Sequence, residues 1–407
     1  MEDAQELNIE ELKPYKDQID TKYIYKLFNY VRTGKKNLDT NSYIFFYNII
    51  SKFANIDDYA QDLLNFHNKR IELIVIECYE KIKNLSGLDF IDSFILYNER
   101  LNYFINSMSK IFSFINFYYI KAIQTKDICG LSMDIYKKYF FDKLQIKLFI
   151  ILNEILIREE RNGNMEHRSK IQQIMKIISW MDLINPKIVN VGKSSIIWIE
   201  KYKELEIYSL NYQKKWFEYF REETIKYVKN KAENDIKNKT IAEYIESELE
   251  YINKENERMQ CYIHPIFHQE INNINNNYLI KNNMNKIIEI DTGANYMLKN
   301  GKKEELSKVY KLFKLYSPSL ELLKLSFRIY LKECRKTFTL NNRKLLLEDK
   351  KKFIEVLINL TKEISDFVVV CFENNIDFQN EVNEEFCSLI EESSIRMNLY
   401  TLELKIF

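Results

Sequence analysis

Residues that interrupt helices are almost missing from this chain. Seven glycines and four prolines serve 407 residues, about a quarter of ordinary usage. Gly and Pro are the commonest breakers of regular structure. Strand-rich folds and parallel α/β enzymes need Gly-bearing turns after their strands, and this chain has few places for them. Catalytic and phosphate-cradling loops lean on glycine for the same reason. The expectation is an all-α protein, built as an elongated helical scaffold whose function lies on its surfaces.

Hydrophobic residues make up 46% of the chain and charged residues 29%, a balance that suits a folded protein. The formal net charge is only +1, so no bulk field attracts nucleic acid or an anionic membrane. The cysteines at 78, 129, 261, 334, 371 and 387 form no CxxC pair. They are expected to be single buried or half-buried thiols in a reducing compartment. The amino terminus, MEDAQELNIEELKPYKD, is acidic and polar, unlike a secretory signal or a basic transit peptide. The richest apolar stretch, YFFDKLQIKLFIILNEILI, carries Asp142, Lys143, Lys147 and Glu154. Such charges are costly in a bilayer, so it reads as a buried amphipathic helix.

The helical spacing can be followed through most of the sequence. Ile24, Leu27, Phe28 and Val31 share one stripe, which Gly34 ends. Phe46, Ile49, Ile50 and Phe53 form the next stripe, but the same segment also carries Tyr43, Ile44, Phe45 and Tyr47. That exceeds what one buried face needs. Either the helix is enclosed on nearly all sides, or its second face is reserved for a partner. Long helices are expected near 59–85, from 90 through 106, and from 132 to 161. Between the last two, SKIFSFINFYYIKAI repeats the excess: Ile111, Phe114, Ile115 and Tyr118 fall on one face, and Phe112, Phe117 and Tyr119 widen it. Asn185-Pro186 marks a turn, and KIVNVGKSSIIWIEKY after it is β-branched enough for a short extended piece. Thr240-Ile241-Ala242-Glu243 is a capping pattern. A stripe through Ile245, Leu249, Ile252, Met259 and Ile263 follows it, stopped or bent at Pro265. Later helices are expected near 266–290, 303–315, 318–334, 350–374 and 378–391, the fourth with the stripe Phe353, Leu357, Leu360, Ile364, Phe367 and Val368.

Chemical motifs are scarce. His264 and His268 stand four apart, but the sequence is HPIFH, not HExxH. No Cys or carboxylate ligands fall at structural-zinc spacing. GxGxxG, GxxxxGK[ST] and GxSxG do not occur. The expectation is no metal, no cofactor and no catalytic residues. The aromatics lack a basic interleaving specific to nucleic acid, and no nucleic-acid or membrane partner is expected.

Several local patterns, in order, resemble one family. WFEYFREETIKYV at 216–228 resembles a run of an aromatic, two spaced phenylalanines, threonine and a terminal aromatic in the amino-terminal region of cullins, the scaffolds of multi-subunit ubiquitin ligases. YIESELEYINKENERMQCYI at 244–263 carries the family's Tyr, Leu, Glu, Arg and Tyr as Tyr244, Leu249, Glu255, Arg258 and Tyr262. YLIKNNMNKII at 278–288, Leu306 to Leu312, the segment 351–386 and RNGNMEHRSKIQQIMKIISWMDL are similar to further family segments.

The resemblance implies three repeats of five helices. Their expected bounds are a tail at 1–19 and repeats at 20–163, 164–284 and 285–407. It implies a rigid non-catalytic scaffold of a cullin-RING E3 ubiquitin ligase. A Skp1-like adaptor with an F-box-type substrate receptor would bind helices 2 and 5 of the first repeat, as in an SCF complex, and a BTB-type adaptor stays open. Those helices are matched here to 43–53 and 110–120. The contact candidates are Tyr43, Phe46, Tyr47, Ile50, Phe112, Asn116 and Tyr119, with Tyr47 and Tyr119 expected at the surface. A RING-box subunit, bound through a carboxy-terminal domain, and a cullin exchange factor are further implied partners. The implied location is cytoplasm and nucleus. The first repeat departs from the family in lacking its usual tryptophans; Asn98 and Tyr119 stand near those places. The chain ends at Phe407 and is read as an amino-terminal fragment. A truncated cullin competing for adaptor is one alternative, and an elongated vesicle-tethering subunit another.

Overall fold

The computed structural model describes residues 12–36, 40–182, 210–342, 344–345 and 349–392. Every regular element among them is helical. The chain divides into two compact units. The first takes the described residues up to Glu223 together with Cys261–His264; the second takes Thr224–Gln260 and those from Pro265 onward. The turn at Asn185-Pro186 and the extended piece after it lie outside the described residues.

In the first unit, α1 (Lys13–Ile19) runs through a π-helical turn into α2 (Tyr25–Thr33), followed by α3 (Thr40–Phe53), α4 (Asp57–Ile82) and α5 (Gly87–Ile111). Helical structure then runs unbroken from Ile128 to Arg161, as α6 (Ile128–Tyr136), α7 (Asp142–Ile151) and α8 (Arg158–Arg161) joined by π-helical turns. Next comes α9 (Arg168–Met181). The stops follow from local chemistry. Gly34 takes φ 79° and its N–H donates to the Tyr30 carbonyl at 2.7 Å, closing α2. Gly163, at φ 99°, follows the end of the long helix at Arg161. Asp182 ends α9, and its carboxylate accepts from the backbone N–H groups of Tyr212 and Gln213 at 2.8 and 3.1 Å. It thereby satisfies orphan donors at the start of α10 (Asn211–Asn238).

The core of this unit is largely aromatic. Phe90, Phe94, Phe104, Phe140 and Phe141 are all fully enclosed, and the Phe94 and Phe140 rings stack at 5.7 Å. Some of its polar groups are paired, while the buried Asn153 amide and Ser109 hydroxyl find no hydrogen-bond partner among the described residues. The Tyr136 hydroxyl donates to Asn98 at 2.6 Å. The buried Glu160 carboxylate accepts from Arg168 at 2.6 Å and from the Tyr262 hydroxyl at 3.3 Å.

The helix α11 (Ile241–Tyr262), whose residues up to Gln260 belong to the second unit, starts with the expected capping box: Thr240 N–H donates to Glu243 at 2.9 Å and Glu243 N–H to the Thr240 hydroxyl at 3.4 Å. Pro265 ends that run, and the backbone resumes as a short 3-10 turn. Helices at Lys303–Phe313, Ser317–Asn341, Lys350–Cys371 and Ile376–Glu392 follow. Ser317–Asn341 runs past the expected end at 334. Tyr310, Phe327, Phe372 and Phe378 are buried together, the last two stacked at 4.1 Å. Ile252, Ile364 and Phe367 are in this core, and Leu249 and Leu360 pack against it.

The residues that carried the resemblance are mostly structural. Tyr244 is buried and donates to the Leu279 carbonyl at 2.7 Å while accepting from Asn283 at 3.2 Å. Arg258 and Glu255 form a buried pair on one helix at 2.5 Å. One expectation needs correcting: Cys387 is exposed, unlike the other five thiols, because it lies on the outer side of the last described helix.

Candidate adaptor-docking surface

The over-apolar segments at 43–53 and 110–120 differ in kind. Residues 40–53 form one helix, α3. Its stripe is as expected, with Phe46, Ile49 and Ile50 buried. Residues 110–120 do not form one helix, and the reading of them as the fifth helix is corrected. Helix α5, the fourth long one counting α1–α2 as the first, ends at Ile111. Phe112 leaves helical geometry at φ −86°, ψ 4°. The backbone tightens through Ile115 N–H to Phe112 C=O and Asn116 N–H to Ser113 C=O bonds of 3.1 and 3.0 Å. A shorter helical piece, residues 114–122, π-helical over Asn116–Ile120, follows. The fifth long helix is the run from Ile128 to Arg161.

The break resets the helical phase. Residues 111 and 115 stay inside, joined by Phe112, Tyr119 and Ile120. Phe114, expected on the core stripe, is half-buried, and Tyr118, expected beside it, is 55% exposed. Phe117 is 66% exposed. The cause is Phe112, which turns inward against the His67 ring at 5.0 Å and the Phe66 ring at 6.4 Å. Burial pushes the His67 imidazole down to about 4, so it stays neutral in that pocket.

The seven contact candidates therefore divide. Phe46, Ile50 and Phe112 are enclosed at 2% exposure or less, and Tyr119 at 8%. Their side chains face the unit's own core, which corrects the expectation of a surface-lying Tyr119. Asn116 is half-buried, and its side-chain oxygen accepts from the Ile128 N–H at 2.9 Å, capping the fifth long helix. Tyr43 and Tyr47 are half-buried and reach the surface.

The structure brings the two segments together through rings. Tyr43 stacks on Tyr47 at 6.1 Å, and Tyr47 meets the edge of Phe114 at 6.1 Å. Phe114 in turn contacts Phe117 at 6.1 Å and Tyr118 at 5.6 Å. Ile44 and Phe45, both about half exposed, stand on the outer side of α3. The result is a ring-to-ring track from one element to the other with exposed aromatics at its outer end. Such partly wet, rigid rings are the usual anchors of protein interfaces. Sequence periodicity missed Phe117 and Tyr118 as surface residues because nothing between 111 and 116 signals a break: no Gly or Pro stands there.

Among the described residues no helix is long and apolar enough to cross a membrane, and no cluster of three or more metal-binding side chains is present.

Comparison with known proteins adds the family. The model of the cullin alpha solenoid domain matches residues 20–401. The chain is 21% identical over 271 residues to Cullin-3A of Arabidopsis thaliana, covering 66% of this chain and 33% of that protein. It is 22% identical over 331 residues to the putative cullin-like protein 2 of the same plant, covering 79% of each. Cullin-3B matches at 22% over 248 residues, 61% of this chain and 30% of that protein. The matched segment thus spans about a third of the cullin-3 relatives. With the family model covering nearly the whole sequence, on an all-helical fold, the chain belongs to the cullin family.

Proposed function

We propose that this chain is a non-catalytic scaffold of a cullin-RING E3 ubiquitin ligase, and that it receives a Skp1-like adaptor with an F-box-type substrate receptor. The observation that carries the adaptor reading is the aromatic track from Tyr43 and Tyr47 through Phe114 to Phe117 and Tyr118. It joins the two segments matched from sequence to the family's adaptor-binding helices, although the second precedes the fifth long helix, and its outer rings, Phe117 and Tyr118, are 66% and 55% exposed. The contacts are side chains that reach solvent: Tyr43, Tyr47, Phe117 and Tyr118, with Ile44 and Phe45 beside them. Phe46, Ile50, Phe112 and Tyr119 support them from beneath. A RING-box subunit would be held by a carboxy-terminal domain, as the resemblance implies. Such a scaffold acts by proximity: it holds a substrate lysine near a charged conjugating enzyme, and raises effective concentration without contributing chemistry. The family match favours this reading over a vesicle tether.

The test is a titration of the purified chain with the Skp1-like protein of its source organism. Phe117→Ala/Tyr118→Ala and a BTB-type adaptor serve as comparisons. Removing two exposed aromatic anchors should cost about 2–4 kcal/mol of binding, a loss of roughly 30- to 1,000-fold. Wild-type affinity retained by the double variant would remove the surface from the account. Binding of the BTB-type adaptor alone would replace the adaptor class.

A further inference from the structure

The two segments that build the aromatic track carry charge of one sign. The whole sequence is balanced, with 60 basic and 59 acidic residues. Across residues 40–56 and 110–126, by contrast, the charged side chains are Lys52, Lys110, Lys121 and Lys126, and there is no acid. All four lysines are exposed. Lys126 is paired with Asp134 at 2.7 Å. Lys121 follows Phe117 and Tyr118 by one helical turn, and Lys110 lies at the end of α5, just before the break that leads to Phe114. Lys52 closes the exposed side of α3, beyond Ile44, Phe45 and Asn48. Among acids on other elements, Asp62 pairs with Lys16 and Asp20 with Arg70, each at 2.5 Å, while the exposed Asp57 and Asp58 stand at the start of α4, past the end of α3.

We infer that the docking surface selects a protein partner whose apolar contact groove is rimmed by carboxylates, and that Lys52, Lys110 and Lys121 read that rim. The inference rests on the adaptor reading above and specifies what the adaptor must look like. An apolar centre alone would accept many hydrophobic grooves. A rim of one sign discriminates among them, because like charges facing across an interface are costly while opposite charges attract over about a Debye length. The aromatics carry the contact area and set how slowly the complex leaves; the lysines guide its arrival and reject basic partners. An anionic lipid surface would also attract lysines beside aromatics. The protein reading is favoured because the exposed rings come from two elements and are fixed against one another through Phe114. That fixed relief suits a complementary groove better than a fluid interface.

The experiment is a kinetic one. Association and dissociation of the Skp1-like adaptor are measured by surface plasmon resonance at roughly 0.05, 0.15 and 0.5 M salt. The variants are K52E/K110E/K121E and Phe117→Ala, with folding checked by circular dichroism. The lysines are exposed, so the triple variant should fold as wild type. The expected result is wild-type association that falls steeply with salt. The triple variant should associate at least about tenfold more slowly at low salt, with the difference vanishing at 0.5 M and dissociation nearly unchanged. Phe117→Ala should instead speed dissociation at every salt concentration. Wild-type and triple-variant association rates that agree at low salt, with Phe117→Ala still weakening the complex, would overturn the rim and leave the adaptor reading intact. Absence of adaptor binding by folded wild type at all three concentrations would overturn both. Salt-sensitive binding to phosphatidylserine vesicles that the triple variant loses, without adaptor binding, would replace the protein partner with a membrane.

Discussion

Phe112 and Phe117 stand five residues apart, share a side chain and occupy opposite roles, so replacing each by alanine separates core from surface. Phe112 is fully buried between Phe66 and His67. Removing a buried phenyl ring loses its transfer free energy and leaves a cavity, together about 3–5 kcal/mol. His67 would gain a neighbouring void but no new partner, so relaxation should recover little. Phe117 is 66% exposed, and its loss should change stability by under about 0.5 kcal/mol. The readout is urea unfolding followed by tryptophan fluorescence. Of the three tryptophans in the sequence, Trp180 and Trp216 lie in the first unit, the one that holds both phenylalanines. Trp198 lies outside the described residues, and no tryptophan follows Trp216. With a slope of about 2–3 kcal/mol per molar urea, Phe112→Ala should lower the midpoint by about 1–2 M. Phe117→Ala should shift it by less than about 0.3 M. Equal shifts, or the larger one in Phe117→Ala, would refute both the helix break and the assignment of faces built on it.

Three further outcomes follow from particular contacts. Gly34 sits at φ 79° with Arg100 Nη2 2.8 Å from where a Cβ would stand, and Arg100 donates to the Val31 carbonyl at 3.0 Å. Gly34→Ala should therefore cost about 1–2 kcal/mol in backbone strain, read as a lower melting temperature of the first unit. Glu248 is buried beside Lys231 at 2.9 Å with its second oxygen unpaired, and burial pushes its carboxyl up to about 7. Folding then favours the protonated acid. The contribution of this group to stability should fall as pH rises from the unfolded value near 4.5 to about 7 and be constant above it. Glu248→Gln, which keeps an acceptor for Lys231, should flatten that slope in urea midpoints taken between pH 5 and 8. Ile252→Asp places an unpaired charge in the core of the second unit and should destabilise that unit by about 4 kcal/mol or more. Retention of the wild-type proteolysis pattern would contradict its placement.

What could be read from sequence was whatever local chemistry enforces. The stop at Gly34, the box at Thr240–Glu243 and the core stripe of α3 depend on neighbours a few residues apart, and their signals survive in a single chain. The scarcity of Gly and Pro was enough for the all-helical class. The family came from the order of patterns along the chain, and many of the matching residues, such as Tyr244, Glu255 and Arg258, are buried and hold helices together. The candidate surface was half legible. Its two segments were marked by apolar excess, but which side chains face out was not. The break after Ile111 is made by distant partners: Phe66 and His67 accept Phe112, and Ile128 engages Asn116. Neither contact leaves a trace in helical periodicity, and a shift of phase there moved Tyr118 outward and Tyr119 inward.

Hydrogen–deuterium exchange of the chain with and without the Skp1-like adaptor tests the central claim most directly. The account predicts new protection concentrated in residues 41–48 and 114–121, with the second unit unchanged. A complex that forms while those segments exchange as in the free chain, or that protects only the second unit, would contradict it.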